Sequence, residues 1–300
     1  MAADLPFETE PITPQHTGRL RRLFSEAGKQ AWCYYAPFLC CFSLPPRREV
    51  LVAERDGACC LLVRREAHVD LMVPPVPFSG RVLNILLKDV NAINGDRSAR
   101  ILWVDEEDAR LLPANQFELR LKDTEYLYDP ARVASASGRP YRDLRKRLNR
   151  VRREFDACFR DLRAEDLPAC QHLLRHWRRR QGRKHPFLLD WGYTQAALSR
   201  YEAWDREDLR GWCVEIGGQV AAFAMGGRMQ EKLANFFIAK SDPDVRGLSE
   251  YLRWEVYRAL SDFSLVNDAG DLGLPGLKQH KQKFRPVARL RVYTAEVLDS

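Results

Sequence analysis

Strand and helix signals that alternate through both halves of the chain predict an α/β (α+β) protein of two tandem domains, each a mixed sheet flanked by helices. Two further observations support that class. Three hundred residues exceed the usual size of one domain and suit two of roughly 150 each. Apolar residues make up 45% of the chain and aromatics 10%, enough to close a core in each half.

In the first half, residues 13–28 read as a helix, with Leu20, Leu23 and Phe24 at one-face spacing and Gly28 as its stop. After the aromatic stretch 32–38, residues 50–54 and 59–64 form a hairpin about Asp56-Gly57, a pair suited to a tight turn. Pro74, Pro75 and Pro77 break the chain; 82–91 is helical, 101–104 a short strand and 106–112 a short helix. Residues 115–121 alternate as a strand, and the small residues 134–138 read as flexible. A strongly basic helix follows at 141–155, with Leu144, Leu148, Val151 and Phe155 on one face.

The second half repeats the alternation. A strand at 157–162 precedes helices at 167–181 and 194–204. A hairpin then turns at Gly217-Gly218 between 212–216 and 219–229. A strand at 233–239, a helix at 248–260, a short strand closing at 266–267 and a last strand at 287–295 complete it. The expected domains are 1–137 and 157–300, with 138–156 as a basic connecting helix.

Net charge is +7, and its distribution is uneven: residues 139–184 hold sixteen Lys/Arg against six Asp/Glu. Such a stretch either faces solvent or meets a phosphate-rich partner: RNA, a nucleotide or an anionic membrane surface. The eight cysteines form no CxxC pair and read as small buried hydrophobes of a reducing compartment. His172 and His176 stand four apart without a supporting carboxylate pattern, so no metal is expected, and no cofactor. No apolar run approaches the ~20 residues of a membrane span. The acidic N-terminus lacks an apolar signal core, and the expected location is cytoplasmic.

Three stretches carry chemistry. The order hairpin, strand, Arg246-Gly247, helix is the core order of a GNAT fold, in which amides at the start of a helix receive phosphates; a plain helix entry accounts for these residues equally. The arginines of 141–155 lie off the apolar face, free to converge on phosphate. Residues 267–286 set Asp271 before a glycine-punctuated turn and a cationic helix, and 278–291 hold six Lys/Arg and no acid. A carboxylate beside cations suits the alignment of an attacking amine or hydroxyl and the support of an oxyanion; an Asp helix cap is the plainer reading.

These stretches resemble the phosphatidylglycerol lysyltransferase C-terminal-domain family, which is related to Fem-type aminoacyltransferases. Tyr126-Leu-Tyr128-Asp129 is similar to its Tyr-x-Tyr-Asp element. Gly138-Arg-Pro-Tyr141 with Lys146-Arg147-Leu-Asn149 is similar to its second element. Asn267, Asp271-Leu-Gly273, Gly276-Leu277-Lys278, Lys281 and Phe284-Arg285-Pro286 are similar to its closing element. The resemblance covers about residues 115–290. Asp268-Ala269 stand where the family has Arg-Glu, Ala239 where it has Glu, and Phe284 where it has Tyr; such departures imply altered substrates or lost activity.

The resemblance implies two GNAT-like domains and transfer of an amino acid from aminoacyl-tRNA to an amine or hydroxyl of a soluble molecule, peptide or lipid headgroup. Peripheral contact with a membrane is part of that expectation. Asp271 is the expected acceptor-orienting carboxylate, with Asn267 and Lys278 lining the site and Lys281 and Arg285 binding phosphate or the oxyanion. Arg142, Arg145, Lys146, Arg147 and Asn149 are expected to meet the donor, with Tyr128, Arg246 and Gly247 as further binding residues. The alternatives are an acyl-CoA-dependent N-acyltransferase and a non-catalytic relative that binds RNA or an anionic surface.

Overall fold

The computed structural model describes residues 5–66, 68–95, 99–181 and 190–298. Arg183 and Lys184 of the basic stretch lie outside them. In chain order the elements are β1 (Glu10–Pro11), α1 (Thr17–Glu26), α2 (Ala36–Phe42), β2 (Glu49–Arg55), β3 (Ala58–Arg65), β4 (His68–Leu71), α3 (Gly80–Asn94), β5 (Arg100–Asp105), α4 (Glu106–Ala109) and β6 (Phe117–Tyr128). They continue with α5 (Pro130–Ser135), α6 (Arg142–Glu154), β7 (Ala157–Asp161), α7 (Leu167–Gln181), α8 (Asp190–Ser199), β8 (Arg210–Ile216), β9 (Gln219–Arg228), β10 (Leu233–Ser241), α9 (Leu248–Ala259), β11 (Leu265–Asn267), α10 (Pro275–Gln282) and β12 (Ala288–Val297).

Two compact units emerge: Met1–Glu125 with Leu290–Ser300, and Tyr126–Arg289. This division differs from the expected one at both boundaries, for identifiable reasons. Helix α6 belongs to the second unit because its stripe of Leu144, Leu148 and Val151 is buried in the same core as Leu248, Tyr251 and Leu252 of α9. The end of β12 belongs to the first unit because it pairs antiparallel with β5, Val292 opposite Asp105.

In the first unit the strand order is β1-β2-β3-β4-β5-β12. Asp56 and Gly57 both take positive φ (48° and 77°), which matches the twist of the β2–β3 hairpin they join. Strand β4 runs parallel to β5 and pairs with it at Leu71–Ile101. The chain then runs on beside β3 in the same direction, past an irregular stretch at 73–75. The Met72 amide donates to Leu61 (2.7 Å), and Val76 exchanges backbone bonds with Cys59. Ser79 caps α3, its hydroxyl accepting from the Val82 amide at 3.3 Å. Helix α2 and strand β4 had no counterpart in the sequence reading: α2 is buried along its whole length and so shows no polar face.

In the second unit the order from β6 is β11-β10-β9-β8-β7. Parallel pairing of β10 with β11 ends at Asn235–Asn267, while β10 runs on to Ser241 beside β9. The two strands therefore fork. Helix α9 packs on β9 and β10 at this fork. The residues ahead of it, Val245-Arg246-Gly247, turn into the helix through Gly247 at φ 90°. Seven of the eight cysteines are buried, and Cys158 is exposed. Burial pushes the Cys213 thiol up to about 12 and Cys60 to about 11, the behaviour of packing groups rather than nucleophiles.

Gly226 shows how closely the central strands approach. A Cβ there would lie 2.4 Å from the Asn235 carbonyl oxygen, which is backbone and cannot turn aside. Gly226→Ala is expected to destabilise the second unit by about 3 kcal/mol. Chemical denaturation with an unchanged denaturant slope would confirm it; unaltered stability would show that the β9–β10 pair can open.

Candidate active site

The fork between β10 and β11 is filled by side chains rather than by chain. At its base Asn235 and Asn267 face each other in register, both 0% exposed. Asn267 Oδ1 accepts from the Ala269 amide (2.9 Å). The Asn235 amide nitrogen meets Met229 Sδ at 3.5 Å, and its Oδ1 is buried without a hydrogen-bond partner among the described residues. A buried acceptor left unmatched is costly, so this oxygen marks a place where an added donor is favoured.

Beyond Asn267 the chain leaves β10 and stays with β6. The Asp268 amide donates to the Tyr126 carbonyl (3.0 Å), and the Tyr126 amide to Ala269 (3.1 Å). Asp268 turns inward to an ion pair with Arg253 of α9, a hydrogen bond from Tyr257 (3.1 Å) and an ion pair with Lys281 (3.5 Å). Burial alone would raise the Asp268 carboxyl, but Arg253 and Lys281 outweigh it and hold the group below its ordinary value. Burial and the Asp268 charge both push the Tyr257 hydroxyl well up, so it stays a donor.

Lys281 is buried; its ammonium also donates to the carbonyls of Asp268 and Ala269. Tyr128 is fully buried, and its hydroxyl donates to the Lys281 carbonyl (3.0 Å). Asp271 accepts a short hydrogen bond from Tyr126 (2.5 Å) on one oxygen and the Gly273 amide (3.0 Å) on the other. The turn that carries Asp271 is thus pinned at both ends. Lys278 is exposed on α10.

A second feature lies where α6 meets the start of α9: a cavity of about 730 Å³ lined by Lys146, Arg147, Asn149, Arg150, Arg246 and Gly247, with Arg152, Arg153 and Asp143 at its sides. One carboxylate thus faces six cations. The sequence singled out five of these residues; Arg150, Arg152 and Arg153 share their helix and were within reach of the same periodicity argument. Arg142 pairs with its neighbour Asp143 (3.5 Å). Arg145 clamps the carbonyls of Ala136 (2.6 Å) and Gly138 (2.7 Å), and Arg285 donates to the Pro140 carbonyl at 3.0 Å. Arg145 and Arg285 therefore order the loop before α6, and neither they nor Arg142 line the cavity.

Glu250 and His280 join the two features, and neither was singled out from the sequence. Buried Glu250, in the first turn of α9, binds Lys283 (2.8 Å) and Arg147 (3.4 Å). His280 stands 3.9 Å from Glu250 and 3.4 Å from the Ser249 hydroxyl. On α7, His176 pairs with Asp242 and Asp244 rather than with His172. These three groups lie within ligand distance of one another, but Asp244 is also held by Arg180.

Burial and then the Arg253 charge push His280 down to about 3. The unfolded chain, whose imidazole titrates near 6.5, binds more protons between these values. Stability is therefore full above about pH 6.5 and falls as the solution is acidified, with a slope approaching about 1.4 kcal/mol per pH unit. Glu250 and Asp268, whose pKa values are lowered, lose their contribution only below the ordinary carboxylate range. Between neutral pH and about pH 5, His280→Gln is expected to flatten the decline in melting temperature; parallel curves for variant and parent would contradict a buried neutral imidazole.

Comparison with known proteins gives this geometry a family. The profile for "Phosphatidylglycerol lysyltransferase, C-terminal" matches residues 42–296. No curated protein sequence matches the chain. Among solved structures, a conserved protein of unknown function from Bacteroides thetaiotaomicron superposes with a TM-score of 0.82 at 19% identity, over 97% of this chain and 100% of its own. L-PGS from Bacillus licheniformis gives 0.66 at 16% identity, over 96% and 92%. A tandem GNAT protein from the clavulanic acid biosynthesis pathway gives 0.53 at 12% identity, over 98% and 99%. At such identities the likeness is one of fold: mixed sheets flanked by helices in two tandem GNAT units. With its forked second sheet, its basic cavity at α9 and a profile match over most of its length, the chain belongs to the phosphatidylglycerol lysyltransferase C-terminal family and has an acyltransferase kind of function.

Proposed function

We propose that this protein moves an amino acid from aminoacyl-tRNA to an amine or hydroxyl acceptor on a soluble molecule, a peptide or a lipid headgroup. The observation that carries the reading is the cavity between α6 and α9, where six cations face one carboxylate beside the forked sheet. Phosphates of an RNA backbone suit such a lining, since spaced guanidinium groups meet successive phosphodiesters.

The entrance to α9 supports RNA over acyl-CoA. A pyrophosphate would need the amides of the first turn. There a Cβ on Gly247 would lie 3.2 Å from Val151 and 3.7 Å from the Arg147 carbonyl, so α6 already lies against the helix entrance. The Glu250 carboxylate also sits in that turn, beside Arg147 and Lys283. A second anion at the same place would be repelled. Exposed Lys146 and Arg153, on either side of Arg150 along α6, can meet a longer polyanion.

In this reading the ester arrives activated, and the protein orients the nucleophile and supports the tetrahedral oxyanion. The acceptor nitrogen or oxygen bonds to the ester carbon, the ribose oxygen leaves, and the nucleophile's proton passes to that leaving oxygen. Asp271, set by Tyr126, orients the acceptor. Asn267, with Asn235 beside it, and exposed Lys278 line the acceptor site. Lys281 and Tyr128 hold the 268–271 turn. Lys146, Arg147, Asn149 and Arg246 receive donor phosphates, with Gly247 allowing α6 to lie close against the start of α9.

Transfer assays with mixed charged tRNAs test this. Asp271→Asn is expected to lower kcat about 100-fold with donor affinity unchanged. Arg147→Gln with Arg246→Gln is expected to weaken donor binding and reduce the slope of log K against log salt by about 1.4–1.8. Salt-sensitive RNA binding without turnover would favour the non-catalytic alternative; acetyl-CoA binding that competes with no tRNA would favour the acyl-CoA enzyme.

A further inference from the structure

The first unit holds a concentration of positive charge that the transfer reaction does not use. The β2–β3 register places Glu49 opposite Arg64, so Arg48 comes next in line against Arg65. Like charges placed opposite each other on neighbouring strands are destabilising. One strand on, Asp70 is fully buried and takes both Arg65 (2.6 Å) and Arg100 (3.0 Å), with His68 at 3.2 Å. Lys122 of β6 completes the group: its ammonium donates to the Leu102 carbonyl (2.7 Å) and lies 3.9 Å from the Trp103 ring centre.

Four cations thus share one carboxylate. Neighbouring acids are committed elsewhere, Glu49 to Arg64 (2.6 Å) and Glu296, opposite Arg100, to Arg120 (3.2 Å). Arg48 and Lys122 have no carboxylate partner among the described residues. They are also not freely solvated. Arg48 stacks 3.5 Å over Phe42 and donates to its carbonyl (2.6 Å), and Phe42 meets Trp103 edge to face at 5.2 Å. A continuous stack of Arg48, Phe42, Trp103 and Lys122 therefore fixes two cations against apolar rings. Arg65 and Arg100 keep 33% and 41% of their side-chain surface open beside them.

We infer that Arg48, Arg65, Arg100 and Lys122 form an anion-binding site on the first unit, built for a phosphoryl group. Immobilised guanidinium groups suit two oxygens of such an anion, and a doubly charged one would offset most of the excess of three positive charges. The protein without it carries the cost of that excess. Burial and the neighbouring arginines push Lys122 down to about 8, and burial with Arg65 pushes Arg48 down to about 10. A bound anion would reverse both shifts. A freely solvated lysine would extend its ammonium into water, whereas Lys122, though exposed along its side chain, bends its ammonium back onto the Leu102 carbonyl and the Trp103 ring. The site is independent of the donor used by the second unit.

The experiment compares the parent with Arg48→Gln/Lys122→Gln, and with Lys122→Gln alone should the double variant fold poorly. Without added anion the variants are expected to melt at the same temperature as the parent or a few degrees higher, because repulsion is relieved. In millimolar pyrophosphate the parent is expected to gain more than the variants. As a second readout, pyrophosphate is expected to slow amine labelling of Lys122 about tenfold, one pKa unit of reprotonation, with exposed Lys88 unaffected. Binding of pyrophosphate alone identifies a free phosphate compound. Added cosedimentation with phosphatidylglycerol vesicles but not phosphatidylcholine, lost in the variants, identifies a lipid headgroup. Lower melting of the variants with an undiminished response to pyrophosphate would overturn the site and leave these cations a packing role.

Discussion

Everything proposed for the second unit depends on one constraint: two parallel strands separate, and buried charged side chains gather next to the point where they part. Past Asn235 and Asn267 the backbone of β11 turns its hydrogen bonds to Tyr126. Beside that point lie Arg253, Asp268, Tyr257 and Lys281, a network in which no charge stands alone. Buried ion pairs add little net stability over an apolar filling, yet removing one partner costs about 3–5 kcal/mol. Such a network is better understood as a device of position than of stability. It fixes the 268–271 turn, and with it the angle at which Asp271 meets Tyr126.

The first unit also has a brief parallel pair, but the chain beyond it keeps to the neighbouring strand. There β4 and β5 pair at Leu71–Ile101, and residues 72–76 continue beside β3, with Val76 bonded to Cys59. The helix that follows differs too. Ser79 caps α3 with its own hydroxyl, whereas α9 begins at Gly247 against a wall of arginines. Two related folds have thus divided their tasks: the polar fork lies in one, and the other carries a stack of aromatic rings and cations.

Much of this organisation was legible in the sequence, and its omissions have physical causes. Both hairpins were visible because Asp56-Gly57 and Gly217-Gly218 announce their turns. Helix α6 was visible because charge and apolar residues alternate with its period, but its partner was not. Periodicity says which face is buried, not against what, so a helix belonging to the second core looked like a connector. Helix α2 was hidden because burial on all sides removes the period. Within the site, Asp271, Asn267 and the Lys146-Arg147 pair came from motif spacing. Asp268 read as a departure from the family's closing element, yet it is the partner of Arg253, which lies fifteen positions earlier on another element. No local pattern connects them.

That correction changes what the departures at 268 and 269 mean. A residue exchanged at a surface would alter a contact with substrate. Asp268 instead faces inward and is compensated there, so its consequences reach the substrate only through the shape of the turn it anchors. Glu250 acts in a similar way on the other side of Arg253: from the first turn of α9 it holds Arg147 and Lys283 and raises the cost of a second anion at the helix entrance. Specificity for the donor would then come from two buried carboxylates that touch no ligand. One anchors the turn at residues 268–271, and the other holds Arg147 and Lys283 at the start of α9.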